Sequence, residues 1–217
     1  MVVPCPWPLR AALLVCLACF PGGVACGRPS APSIGKEGFS DDFARSDLGP
    51  DWNNTGGPYS IKDGALVVAG AKNKPLWLKR ALPRDARIEF DARSDSPEGD
   101  IKVEVYGDGK SFAETTSYTA TSYVIIFGGW NNRLNVIARM NEHGDDRVVG
   151  PKFPVEPGCT YHFKIERRGD TLRAFVDDRE LGTLKDPAPL EGPGHDHFGF
   201  NNWGSRLTFD NVKVTAL

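Results

Sequence analysis

From Phe39 onward the chain shows a period of two almost without interruption, and few folds accommodate that pattern over such a length. In "ARIEFDARS", Ile88, Phe90 and Ala92 alternate with Glu89, Asp91 and Arg93. "IKVEVYGDG" repeats it, with Ile101, Val103 and Val105 on one side and Lys102, Glu104 and Tyr106 on the other. Successive side chains of a strand point to opposite faces, so each segment predicts one apolar and one wet face. "IKDGALVVAG" reads as a hairpin turning at Lys-Asp-Gly between Ile61 and Ala65. "TYHFKIERRGDTLRAFVDDREL" reads as another, with Tyr161, Phe163 and Ile165 facing in and the turn at Arg-Gly-Asp. In "RLTFDNVKVTAL" the phase changes between Leu207/Phe209 and Val212/Val214, which predicts a bulge at Asp210-Asn211. About a dozen short strands and no amphipathic helix imply an all-β fold, two antiparallel sheets packed as a sandwich. That is too many strands for a seven-stranded immunoglobulin sandwich, and a jelly roll fits better. With no internal boundary, one domain spans residues 38–217.

The start of the chain obeys different rules. Arg10, the apolar run "AALLVCLACF" and the small-residue stretch "PGGVA" have the layout of a secretory signal peptide over residues 1–25. The apolar run is too short to span a bilayer. Cys26 follows, then the Gly/Pro/Ser-rich tether "GRPSAPSIGKEG". Small residues directly before a cysteine resemble the lipobox of bacterial lipoproteins, with Gly23 where Leu is usual. That resemblance implies acylation of Cys26, a lipid anchor over residues 26–37 as the only membrane attachment, and a bacterial envelope location, the outer membrane first. Four of the five cysteines fall in or beside the leader. Cys159 then reads as a small half-buried hydrophobe. A Cys26–Cys159 disulfide, in a secreted and unlipidated product, is the alternative.

Twenty-six basic against 28 acidic residues give a net charge of −2. A nucleic-acid partner would call for a strongly basic face, so that class is set aside, and a monomer is expected.

The ordered series "FSDDFARSDLGPDW", "YSIKDGALVV", "RIEFDARS" and "FDNVKV" resembles bacterial concanavalin A-like (laminin G-like) jelly-roll domains, including those grouped with 3-keto-disaccharide hydrolases. The resemblance covers nearly the whole chain after the leader. It implies a curved sheet with a concave face on which such domains bind or cleave carbohydrate, bind protein, or do neither. Retaining β-glucanases of this fold carry three carboxylates on alternate positions of one strand. Here Glu89 and Asp91 are followed by Arg93, and that motif is absent. The keto-sugar hydrolases often carry Asn-Ser-Gly after a strand with an acidic residue. Glu104 is placed to be that carboxylate, but "GKSFAETTSYT" follows instead. Similar sandwiches also carry a structural Ca²⁺ near the paired terminal strands, which nominates Asp42 and Asp210 as ligands. His195 and His197, two apart, would share a strand face as half a zinc site, and "NEHGDD" adds His143, Asp145 and Asp146; no spacing completes the ligand set.

Two further stretches share a peculiarity. "VIIFGGWNN" and "HFGFNNWG" each place a Trp beside paired asparagines where an apolar strand gives out. A sugar ring has an apolar C–H face for an aromatic ring and a rim of hydroxyls for amides and guanidinium groups. Trp130, Asn131, Asn132, Arg139, Asn201, Asn202 and Trp203 are the candidate ligand contacts. Asn beside Gly is equally ordinary turn chemistry, whereas Trp52 and Trp77 read as core or edge packing. Two functions follow, an anchored carbohydrate-binding domain or a glycoside-processing enzyme using Glu104, with a structural envelope lipoprotein as the third.

Overall fold

A computed structural model describes residues 31–115 and 118–217; the leader and Cys26 lie outside the described residues. Fifteen strands are found among them. The first five are β1 (Phe39–Asp41), β2 (Trp52–Asn54), β3 (Ser60–Lys62), β4 (Ala65–Ala69) and β5 (Leu76–Leu78). Next come β6 (Ala86–Ser94), β7 (Ile101–Gly107), β8 (Tyr123–Gly128), β9 (Leu134–Arg139) and β10 (Val148–Val149). The last are β11 (Thr160–Arg168), β12 (Thr171–Val176), β13 (Arg179–Lys185), β14 (His197–Asn201) and β15 (Arg206–Ala216). One sheet of eight strands runs β13-β12-β11-β6-β15-β4-β3, with β1 on the second half of β15. The other, of seven, runs β10-β9-β8-β7-β14-β5-β2. The fold is the expected all-β, two-sheet antiparallel sandwich.

The alternating residues do what their period predicts on the inner faces. Phe90 of β6 stacks on Phe163 of β11 at 4.8 Å, and Phe200 of β14 lies 4.3 Å from Phe209 of β15. These rings, fully buried, carry the contact between the sheets. The bulge expected in β15 is present: the register with β6 shifts between Asp210 and Lys213, and Asn211 sits at φ 54. The extra residue lets Phe209 and Val212 both face the core despite their spacing.

The outer face of the seven-stranded sheet departs from the expectation. Every residue of β7 is buried, including Lys102 and Glu104, where one wet face was expected. Beside it β8 is apolar on both sides, so Val124 and Ile126 join Val136, Ala138 and Ala120 in a second, smaller core outside the sheet. Tyr106 does not share the face of Lys102 and Glu104. It occupies a bulge at φ 59, where the pairing with β14 shifts between His197 and Phe198, and turns into the main core.

Trp52 is buried in the core, its indole N–H on Asp41 Oδ2 at 2.7 Å. Trp77 is buried on the outer face, over two glycines of the neighbouring strands. Its N–H donates to Ser111 O at 3.0 Å, which ties down the segment before β8. Cys159 is exposed rather than half-buried, because it follows the turn at Pro157-Gly158 just before β11 begins.

A Cβ on Gly199 would stand 2.7 Å from the Trp77 ring, and the ring is enclosed on all sides. Gly199→Ala is therefore expected to cost about 1–3 kcal/mol through overpacking, read as a lowered midpoint in urea denaturation. An unchanged midpoint would mean the ring can shift freely.

Candidate functional site

Both β8 and β14 pair antiparallel with β7, one on each side. They must therefore run in the same direction and end at the same edge, about 10 Å apart across two strand spacings. Those ends carry the two Trp-Asn turns, and β7 starts between them. The topology alone brings Trp130 and Trp203 together from distant points of the sequence.

Each turn is held by its own asparagines. Trp130, Asn131 and Asn132 have φ of 53, 59 and 60, three successive residues in the left-handed region after Gly128 at φ 74. Asn tolerates that conformation, whereas Trp rarely adopts it, so the surroundings must hold it. Asn132 does so, donating to Val155 O at 2.7 Å and accepting from Val155 N–H at 2.8 Å. In the other turn Asn202 donates to Ser205 O at 2.7 Å and accepts from Ala71 N–H at 3.0 Å. Asp100 lies between the two turns: its N–H donates to Gly128 O at 3.0 Å, and the Trp203 backbone lies near enough to its carboxyl to oppose the rise of that group's pKa.

Between the turns lies a groove of about 970 Å³, lined by Trp130, Trp203, Asn73, Asp100, Lys102 and Glu142 among others. Trp203 is 42% exposed, with Lys72 Nζ 5.6 Å from its ring. Trp130 is half-buried, with the Arg147 guanidinium 4.9 Å from its ring and His143 edge-on at 5.5 Å. Lys102, 2% exposed, donates to Asn73 Oδ1 and Glu142 Oε2, both at 2.8 Å. Burial pushes the Asp100 carboxyl up to about 6, and Glu142 adds to the rise while Lys102 opposes it.

Glu104 lies one step further along β7 and is wholly enclosed. Tyr118 O–H covers it at 3.0 and 3.1 Å from its two oxygens, Asn201 donates to it at 2.6 Å, and Ser122 O–H donates as well. Burial pushes its carboxyl up to about 7 despite these donors. Tyr118, not Glu104, faces the groove.

The candidates read from the sequence thus divide. Trp130, Asn131 and Trp203 line the groove together. Asn201 lies beneath it on Glu104, while Asn132 and Asn202 hold the turns. Arg139 is not among the lining residues; its Nε donates to Asp186 Oδ2 at 2.9 Å and its Nη2 to Ala188 O. Lys102, Asp100, Asn73, Glu142 and Tyr118 were not nominated. The one available signal was Lys102 two residues before Glu104, a pair of opposite charges beside a strand apolar on both sides.

The metal candidates complete no ligand set from side chains alone among the described residues. Among the described residues no group of three or more His, Cys, Asp or Glu is placed to hold a metal. His195 precedes β14 and contacts Thr121 O at 2.7 Å, whereas His197 contacts Asp196, so the two do not share a strand face. Asp42 and Asp210 accept from the Ala44 and Asn211 N–H groups. Burial, with Asp91, Asp42 and Asp41 nearby, raises the Asp210 carboxyl. A Ca²⁺ there would need backbone oxygens or water to complete its six to eight ligands.

No family model matches the chain. A levanase of Bacillus subtilis (strain 168) is 33% identical over 72 residues, a third of this chain and a tenth of that protein, so the chain spans only a small part of that relative. Among solved structures, the carbohydrate-binding module CBM66 of Bacillus subtilis superposes with a TM-score of 0.58 at 17% identity, covering 78% of this chain and 98% of that one. The β-glucanase of Bacillus licheniformis gives 0.60 at 11% identity, covering 83% and 98%. The jelly-roll sandwich is the common element.

Glu104 offers a direct test of this electrostatic picture. Its folded pKa near 7 lies above the ordinary 4.5, so the folded state holds a proton that the unfolded chain has lost between those values. Stability should fall as pH rises through that window, by about 3 kcal/mol, and level off above it. Glu104→Gln removes the titration, so urea denaturation at pH 5 and pH 8 should show wild type losing stability relative to the variant. Equal losses in both proteins would refute the buried, raised carboxyl.

Proposed function

We propose that the groove at the start of β7 is a carbohydrate-binding site. The observation that carries this reading is the convergence of Trp130 and Trp203 on one groove that also holds the amides of Asn73, Asn131 and Asn141. Indole rings suit the C–H face of a pyranose or furanose ring, and amides both donate to and accept from its hydroxyls. The jelly-roll fold shared with a carbohydrate-binding module and a glucanase supports the same class of ligand. The expected affinity is millimolar to micromolar, roughly 4 to 8 kcal/mol.

A second reading is glycoside processing, and one observation favours it. Carboxyls near 6 and 7, at Asp100 and Glu104, are where a general acid or base works at neutral pH. Against it, Tyr118 stands between Glu104 and the groove. The leader reading adds a place of action: export, acylation at Cys26 and a lipid anchor would hold the domain against envelope or extracellular glycans. A structural Ca²⁺ at Asp42 and Asp210 belongs to the same proposal.

Native mass spectrometry of the full chain with an oligosaccharide panel tests the main reading. An intact sugar adduct, weakened about tenfold or more by Trp130→Ala or Trp203→Ala with the fold retained by circular dichroism, is the expected result. Shortened sugar that disappears with Glu104→Gln would replace binding by catalysis. Retention of the adduct in both Trp variants would remove the groove from the account.

A further inference from the structure

Two buried side chains in the lining of the groove keep hydrogen-bonding capacity that the protein itself does not use. Asn73 is 4% exposed and Lys102 2%, yet both reach the groove. The orientation of the Asn73 amide is fixed by its neighbour. Lys102 Nζ lies 2.8 Å from one amide atom, and an ammonium can only donate, so that atom must be Oδ1. Asn201 Nδ2 donates to the same oxygen at 3.4 Å. Asn73 Nδ2 is left with no partner among the described residues, and it is not one of the atoms sealed from solvent. Lys102 gives a second N–H to Glu142 Oε2 at 2.8 Å, and of its three donors one is left over. The backbone beside them is held: Asn73 N–H donates to Asn202 O at 3.0 Å, and Asn73 O accepts from Ala113 N–H at 2.7 Å. Buried polar groups are ordinarily paired, so spare N–H groups on two bonded neighbours at one groove call for an acceptor from outside.

Taking the groove as a glycan site, as proposed above, we infer that Asn73 and Lys102 are its specificity-determining residues, their spare N–H groups meeting on one sugar hydroxyl. A hydroxyl oxygen has two lone pairs, enough to accept from both. Its own proton can go to the Asp100 carboxyl, which lines the same groove two residues before Lys102. The aromatic rings accept any sugar that offers a C–H face, and the buried pair decides which of those sugars stays. A carbon without oxygen at that position would leave two buried donors unpaired. A site built to bond a hydroxyl rejects the analogue lacking it far more strongly than an apolar pocket rejects a missing methylene.

The experiment titrates the full chain by ligand-observed NMR with trisaccharides of glucose, galactose and fructose units and with every monodeoxy form of each. At least one parent is expected to bind, and loss of one particular hydroxyl should weaken it about tenfold or more. The series is repeated with Lys102→Met, which keeps the stem and loses the ammonium. It is repeated again with Asn73→Gly, which suits the φ of 59 at that position and loses the amide. Circular dichroism establishes that a variant is folded, and either folded variant decides. In it the penalty for that one deoxygenation should shrink, while the penalties at other positions stay as they were. Monodeoxy forms that all bind as tightly as their parent would overturn the inference and leave the glycan reading intact. So would an unchanged penalty in a folded variant, since a merely structural effect weakens every form alike. If no trisaccharide binds, the glycan reading falls and this inference falls with it.

Discussion

The backbone ladders on either side of β7 are the constraint from which the groove follows. Because β7 pairs antiparallel with β8 on one side and β14 on the other, its neighbours are obliged to run in parallel and to finish together. No side-chain contact between Trp130 and Trp203 is needed to bring them to one edge. The same pairing places Lys102 opposite both Ile126 and Asn201, and Glu104 opposite Val124 and Gly199. A slip of one residue in either ladder would send Lys102 and Glu104 into the core and Val103 outward. The aromatic inner face, with Phe198 and Phe200 packed among the rings of the opposite sheet, opposes that slip.

Burial of charge on an outer sheet face needs a second layer above it. Here the layer consists of the segment pinned through Trp77 to Ser111, Tyr118 over Glu104, and the turn carrying Glu142. Lys102 and Glu104 are each satisfied by several hydrogen bonds, as buried charges must be. The two are nevertheless handled differently. Lys102 keeps a carboxylate partner and opens to the groove, whereas Glu104 meets only neutral donors and is closed off from it.

Much of the architecture was legible because it depends on local period and turn chemistry. The alternation in β6, the hairpin of β11 and β12, and the phase break at Asp210-Asn211 all appear where the residues imply them. What was not legible depends on partners distant in sequence. Tyr106 fits the alternation of β7 perfectly, yet the bulge against β14 turns it inward. The polar side of β7 looks like a wet face until β8, apolar on both sides, shows that something must cover it. At the site, the Trp-Asn pairs stood out as a chemistry, but nothing local separates Asn131, which lines the groove, from Asn132, which holds the turn. Asp100 gave no sign at all, because what marks it is its place between two turns about 70 residues apart in sequence, bonded to Gly128 of one and beside Trp203 of the other.

The three left-handed residues at Trp130, Asn131 and Asn132 have a kinetic consequence. A turn that is already locked in an uncommon conformation, with Asn132 fixed on both sides to Val155, has little freedom left to surrender when a ring settles on Trp130. The ordering cost has been met by folding and is not met again at each encounter. If the groove takes sugars as proposed, recognition at this edge requires no closing movement, and different sugars would arrive at similar rates. They would be told apart by how long they stay.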